Sequence, residues 1–479
     1  MKRLMGVFRL TSVLLLFLPV RILPWTTPVN ISNTETISSS VSITIDGNKD
    51  LHVAWEEEFV HLSRYKIFYS HCTGDSWSAP INVSAEVRMS INPDITVDTL
   101  MYPHIVWSDE SAFKVYWTYF DGDSWTTPME IFDKPGEDLG ISVLTDDSNK
   151  IHLVWHNHTG TAENDEIWYS AYDDTSWSIP TNVSDDDDGS AWPDIDVDSA
   201  GNIHVVWMNY GVGGHPDCIE VYYSMYNGLS WSTPLNISNL IGSSCYPRIA
   251  IDSRDYPHVV WEERWSDTIG HYSPYYAFYD GASWSTPYMI TDTTENGMRP
   301  VIAIDIEDRT HILWTYGEYG GGILYRYCEG DSWSVPYEVS DSGSFPSIAI
   351  DCDDCLHTVF ESFGEIYYSS HSQTGVESFE DQDPILGEYS LGQNFPNPFI
   401  KKTEIPYYIL TDSYVTFKIY DLAGREIESI DLGYKPAGYH TFILHIESLI
   451  DIRRGIYFYR LDAGSYAETR KMVFCGNIR

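Results

Sequence analysis

The sequence predicts an all-β protein, with a seven-bladed β-propeller of four-stranded blades over residues 25–371 followed by a small β-sandwich over 389–479. Three observations carry this. A frame of Asp, five residues, His, two residues and Trp, with Phe for Trp in the last copy, recurs seven times. A Trp-[Ser/Thr]-x-Pro segment also occurs seven times, but displaced by one unit. Both patterns stop at an acidic stretch, after which the turn chemistry changes.

The frames are Asp46/His52/Trp55, Asp98/His104/Trp107, Asp146/His152/Trp155, Asp198/His204/Trp207, Asp252/His258/Trp261, Asp305/His311/Trp314 and Asp351/His357/Phe360. Successive histidines stand 46 to 54 residues apart, the period of four-stranded propeller blades. Within a unit, the first strand alternates large and small residues before its Asp, as in Ile249-Ala250-Ile251. That pattern suits a strand covered on both faces. The second strand is the His-Val-Val-Trp run. The third is aromatic and β-branched, as in Val221 to Tyr226, and Asn227-Gly228 is a tight turn leading to the fourth. The fourth carries Trp231-Ser-Thr-Pro234.

Six of the Trp-[Ser/Thr]-x-Pro copies follow their own frames, beginning at Trp77, Trp125, Trp177, Trp231, Trp284 and Trp333. The seventh unit lacks one, and the missing copy is Trp25-Thr-Thr-Pro28 at the other end of the domain. Residues 25–32 are therefore expected to supply the outer strand of the last blade and remove two open sheet edges.

A pair present in every unit cannot mark a single active site. Asp198, His204, Trp207 and Trp231 are accordingly read as structural, the Asp closing the first hairpin and bonding the His or nearby backbone. The Asn-x-Ser/Thr triplets at Asn30, Asn82, Asn182 and Asn236 belong to the same repeat.

The net charge is −42 and uneven: from residue 389 onward 11 Lys and Arg face 10 Asp and Glu, leaving 17 against 60 before it. So acidic a domain repels nucleic acid and anionic lipid, which argues against both as partners. Residues 1–24, with Lys2, Arg3 and the apolar run from Val13 to Val20, read as a signal peptide, leaving no membrane span once removed. Residues 372–388 read as an acidic linker.

In an oxidising compartment, the loops carrying Cys218 and Cys245 fall on one face of the propeller, which predicts a disulfide between them. Cys352-Asp-Asp-Cys355 offers too few ligands for zinc by itself and reads as a local disulfide or two thiols. Asp186, Asp188 and Asp194 lie in an oxygen-rich stretch that could hold calcium. His156 and His158 lack a third ligand. No other cofactor is implied.

The turn Ser224-Met-Tyr-Asn-Gly-Leu-Ser-Trp231 resembles the Asp-box of sialidases, with the amide residue one place late. Sialidase-like hydrolysis needs arginines that clamp a carboxylate, a Tyr/Glu pair and an acid. Those types occur on loops of one face as Arg248, Arg264 and Arg299 with Glu262, Glu263, Tyr316 and Glu318. A glycan- or protein-binding module of the cell surface is the favoured reading, and such a hydrolase the alternative.

The C-terminal stretch carries ordered motifs: Gln393-Asn-Phe-Pro-Asn-Pro-Phe399, Ile419-Tyr-Asp-Leu-Ala-Gly-Arg-Glu426, Pro436-Ala-Gly438, Gly455-Ile-Tyr-Phe-Tyr-Arg-Leu461 and Arg470-Lys-Met-Val473. Together they resemble the type A sorting domain of type IX secretion substrates. Asn394, Pro396, Asn397, Pro398, Gly424, Arg425, Gly455, Tyr457 and Lys471 lie in these motifs. The resemblance implies an immunoglobulin-like sandwich and handling by the type IX machinery. It also implies a destination on the outer-membrane surface or outside the cell, where glycans or envelope components are the available partners. Two departures stand out: Ile400-Lys-Lys402 follows the first motif in place of Asn-Pro, and the chain continues past the basic motif to Arg479.

Overall fold

The structure, a computed structural model, describes residues 25–372 apart from residues 35, 60–63, 75, 85–86, 88, 110, 112–113, 133–136, 159–164, 186–187, 212–218, 241, 266–270, 292–295, 318–319 and 330–331. It also describes residues 390–391, 394, 402–422, 424–445, 455–464 and 466–474. The signal peptide and nearly all of the acidic linker lie outside these residues. Among the described residues every regular element is a strand.

Among the described residues, seven antiparallel sheets follow one another up to residue 372. Sheet four is typical, with Ser190–Val197 innermost, then Ile203–Asn209, Glu220–Tyr226 and Leu235–Asn236. Its second strand is buried at every position, as a strand covered on both faces must be. The six frame tryptophans are at most 1% exposed. Trp231 forms a bridge to Tyr226 at the turn, and the paired residues of the fourth strand begin only after Pro234. Proline has no N–H to give a ladder, so pairing resumes beyond it.

The frame Asp organises the first hairpin. Asp198 Oδ1 accepts the N–H of Ala200 at 3.0 Å and of Asn202 at 2.8 Å, while Oδ2 lies 3.3 Å from His204 Nε2. His204 Nδ1 pairs with the Tyr223 hydroxyl at 2.8 Å. The same chain of contacts recurs at Asp146/His152/Tyr169 and Asp305/His311/Tyr325. In sheet two, Trp117 Nε1 takes the place of the Tyr hydroxyl.

Between sheets, each turn Trp packs edge-on against an aromatic residue of the preceding sheet. Trp231 meets Tyr169 with ring centroids 5.2 Å apart, and Trp284 meets Tyr223 at 5.1 Å. Sheet seven comprises Ser344–Ile350, Cys355–Ser362, Glu365–Ser372 and, as its outermost strand, Val29–Asn30, with Val29 opposite Tyr368. Trp25 is 3% exposed and lies edge-on to Tyr325 of sheet six at 5.3 Å. Trp77 of sheet one packs on Tyr368 of sheet seven at 5.2 Å. Innermost strands pack on one another in chain order, and Ile37–Ile45 of sheet one also packs on Ser344–Ile350 of sheet seven. Together they line an axial cavity of about 910 Å³.

Among the described residues the C-terminal stretch forms two antiparallel sheets. One joins Ser390–Leu391, Lys402–Ile409 and Gly438–His445; the other joins Glu426–Lys435, Ser413–Tyr420, Gly455–Ala463 and Tyr466–Phe474. Their shared core includes Leu391, Ile405, Phe417 and Leu461.

Candidate ligand site at the mouth of the axial cavity

Every innermost strand carries a β-bulge, and in six sheets the residue six places before the frame Asp has a left-handed backbone: Ser40, Asn92, Trp192, Tyr246, Arg299 and Phe345, with φ between 50° and 53°. Five of these precede proline. A non-glycine residue held there costs of order 1–3 kcal/mol and persists only where its surroundings impose it. For five of the six, the imposing group lies one residue after the frame Trp or Phe. Glu56 Oε2 accepts the Asn92 N–H at 3.0 Å, Glu262 Oε2 that of Arg299 at 3.0 Å, and Glu361 Oε1 that of Ser40 at 2.7 Å. Thr315 Oγ1 accepts the Phe345 N–H at 3.0 Å. His156 Nδ1 accepts from Gly140 at 3.0 Å and Trp192 at 3.3 Å. At Gly140 a Cβ would stand 2.8 Å from His156 Nδ1 and 3.1 Å from the Trp192 Cα, so no side chain fits.

These bulge residues line one end of the cavity, and they are chemically lopsided. Sheets four to seven present Trp192, Tyr246, Arg299 and Phe345, whereas sheets one to three present Ser40, Asn92 and Gly140. The Arg299 guanidinium lies 3.2 Å from the Tyr246 ring centroid, 5.2 Å from Phe345 and 5.9 Å from Trp192, and Trp192 meets Tyr246 edge-on at 5.5 Å. All four side chains are half-buried.

Deeper in the cavity, carboxylates tie neighbouring innermost strands together. Asp94 accepts from Ser42 Oγ at 2.6 Å and from the Val143 N–H at 2.8 Å. Asp194 accepts from Ser142 Oγ at 3.1 Å, Arg248 Nη1 at 3.1 Å and the Ile249 N–H at 2.8 Å. Asp196 accepts the Ile251 N–H at 2.8 Å. Burial pushes the Asp94, Glu56 and Glu262 carboxyls above their usual range, and pushes Asp196 and Glu361 up to about 7, partly offset by these N–H bonds.

Of the residues singled out in the sequence, Arg248 and Arg299 line the cavity, and Glu262 serves as the cap on Arg299. Glu263 points into its sheet instead, accepting from Ser244 Oγ at 2.7 Å and Trp261 Nε1 at 3.2 Å. Arg264 stacks over Tyr272, and the Tyr316 hydroxyl reaches Glu338 at 3.2 Å. Glu318, Asp186 and Cys218 lie outside the described residues. Asp188 is half-buried, and Cys245 is buried with Sγ 3.8 Å from the Ser243 carbonyl. Trp192, Tyr246 and Phe345 escaped sequence reading because they occupy variable positions. The signal that finds them is the shared offset of six residues before the frame Asp, with proline next.

In the C-terminal domain Asn394 is buried, its N–H donating to the Tyr459 hydroxyl at 2.7 Å and its Nδ2 to Thr403 Oγ1 at 2.9 Å. Gly424 turns with φ 74°, and the following Arg425 N–H donates to Asp421 Oδ1 at 2.9 Å. Tyr457 is buried, Gly455 half-buried and Lys471 exposed. Pro396, Asn397 and Pro398 lie outside the described residues.

Among solved structures, a polysaccharide lyase of family PL25, an ulvan lyase, is similar at TM-score 0.53 and 12% identity, covering 72% of this chain and 96% of its own. A fungal alcohol oxidase of the AA5 family, in complex with copper, is similar at TM-score 0.51 and 10% identity, covering 94% of this chain and 99% of its own. At such identities the likeness is one of fold: all-β and propeller-like. No curated protein matches the sequence. The family model for the secretion system C-terminal sorting domain matches residues 393–474. That stretch is a type IX sorting domain, and it directs the protein through the periplasm to the outer-membrane surface or the extracellular space.

Proposed function

We propose that the exported protein is a glycan-binding module: a closed seven-bladed propeller whose axial mouth takes a saccharide, carried on an immunoglobulin-like sorting domain. One observation carries this reading, the half-circle of Trp192, Tyr246 and Phe345 around Arg299 at one end of a polar cavity. Aromatic faces pack on the apolar C–H faces of sugars, and a guanidinium donates to hydroxyl or carboxylate oxygens. The lyase fold likeness is consistent with a saccharide ligand. The pairing of Val29–Asn30 into sheet seven and the packing of Trp25 on Tyr325 support closure.

Binding is favoured over sialidase-like hydrolysis because the carboxylates at the mouth are engaged. Glu56, Glu262 and Glu361 each cap a backbone N–H of the adjoining sheet, and Asp194 is held by three donors. The test is a glycan array probed with the full chain, then titration of the hits against Trp192→Ala and Tyr246→Ala. Binding that vanishes in both variants supports the reading; absence of any hit, or affinities unchanged in both, overturns it. Turnover of a bound glycan would replace binding with catalysis.

A further inference from the structure

The hairpin of the seventh frame differs from the other six in the residue four places after its Asp. That residue is Asp50, Tyr102, Lys150, Asn202, Tyr256 and Arg309 in the first six copies and Cys355 in the last. Its backbone N–H donates to the frame Asp in every case, at 2.9 Å from Cys355 to Asp351 Oδ1. The hairpin thereby delivers the side chain at this position to the carboxylate. Asn202 Nδ2 reaches Asp198 Oδ2 at 2.7 Å, and Arg309 Nε reaches Asp305 Oδ2 at 2.5 Å. In the seventh copy, what arrives there is a thiol.

Asp351, Cys355 and His357 each offer a ligand atom, and the three atoms lie within 4.8 Å of one another. Among the described residues no other group of three His, Cys, Asp or Glu side chains meets that condition. Imidazole, thiolate and carboxylate together form a zinc donor set, and tetrahedral bonds of about 2.0–2.3 Å put ligand atoms roughly 3.3–3.8 Å apart. His357 is 9% exposed, and its Nε2 is buried with no hydrogen-bond partner, 3.6 Å from Asp351 Oδ2. In the sixth copy the corresponding His311 closes on Asp305 at 3.0 Å. His52 and His258 also leave Nε2 unpartnered, but no third ligand joins them. The Tyr368 hydroxyl holds His357 Nδ1 at 2.8 Å, the outer contact that orients a metal-bound imidazole. Cys352, exposed and next to Asp351, stands within the same turn. The neighbouring cation is Lys49, 4.0 Å from Asp351 Oδ2 and bonded to Asp353.

We propose that Asp351, Cys355 and His357 form a zinc site at the join between the seventh and first sheets, with Cys352 or water as the fourth ligand. The repeat's ordinary Asp/His pair becomes a metal site there because one hairpin residue is a thiol. The site is independent of the mouth and of any glycan.

The full chain, purified reduced and metal-free, is titrated with cobalt(II) as a spectroscopic stand-in and then with zinc. One equivalent should bind with a thiolate-to-cobalt charge-transfer band that zinc abolishes. Cys355→Asn, which places at this position the residue the fourth copy carries, should lose the band while keeping the fold. His357→Gln should weaken binding about tenfold or more, and Lys49→Met should tighten it by removing a like charge. The proposal is overturned if no thiolate band forms, if Cys355→Asn binds as well as the parent, or if the exported protein carries a Cys352–Cys355 disulfide and no metal.

Discussion

The two ends of the seven sheets are built on opposite plans. At the hairpin end each sheet repeats one solution: an Asp holding two N–H groups, a His between that Asp and an aromatic partner, and a tryptophan locked against the preceding sheet. At the mouth the backbone repeats, with the same bulge in every sheet and the same left-handed residue in six of them, but the side chains diverge into an aromatic, cationic half and a small, polar half. Repetition of a side chain is what stacking sheets demands, whereas variation on a repeated backbone is where a single ligand can be recognised.

The contrast is broken most severely at the hairpin end. Deleting residues 25–32 removes the outer strand of sheet seven and leaves Tyr325 without Trp25; Trp25→Ala alone should cost about 3–5 kcal/mol. Thermal melts that match the parent would refute the closure proposed for residues 25–32. Next in size, Asp198→Ala strands two backbone donors and a buried His, a loss of roughly 2–3 kcal/mol in denaturant unfolding. It should leave ligand binding at the mouth intact in the folded fraction.

Acidity separates the two ends by sign. The hairpin carboxyl Asp305 is held down to about 2 against the usual 3.8, where bonds from His311 and Arg309 outweigh its burial. Its contribution is complete above pH 3.8 and is lost as pH falls toward 2. At the mouth, Glu361 is pushed up to about 7 from 4.5, so its neutral form is the stable one, and its contribution disappears as pH rises from 4.5 through 7. In melting temperature against pH, the Asp305 contribution should fade below about pH 3.8 and the Glu361 contribution from about pH 4.5 through 7. Asp305→Asn should reduce the acid limb, which the other frame carboxyls share, and Glu361→Gln, which keeps an acceptor for the Ser40 N–H, should reduce the other, which Asp196 shares. A Glu361→Gln profile that declines through neutral pH as steeply as the parent's would assign that limb elsewhere.

The smallest effect on stability belongs to the mouth side chains. Arg299→Ala should change the melting free energy by no more than about 1 kcal/mol, since its backbone N–H remains capped by Glu262, yet weaken any saccharide that the full chain binds by about tenfold. Equal binding by Arg299→Ala and parent would remove Arg299 from the site.

Much of this organisation was legible in the chain because it is written in repeated letters. The spacing of Asp, His and Trp defines the units. The stray Trp25-Thr-Thr-Pro28 anticipates the strand now seen beside Tyr368, and the motifs from Asn394 to Lys471 identify the sorting domain. The candidate site was legible only in part. Arg248, Glu262 and Arg299 were picked out as loop residues of one face, but they lie on strands, and Glu262 proves to be a cap. Glu263, one residue on, faces the opposite way because successive strand residues alternate sides.

What the sequence determined by itself is whatever depends on local order along the chain: the period, the strand alternation, the turn residues and the export address. Tertiary structure alone decided which variable residues meet. Trp192, Tyr246, Arg299 and Phe345 are each about one repeat apart, and no pattern within one unit relates them. They converge because a bulge at a common register rotates each toward the axis, and because stacking the sheets around that axis turns separation along the chain into adjacency at one mouth.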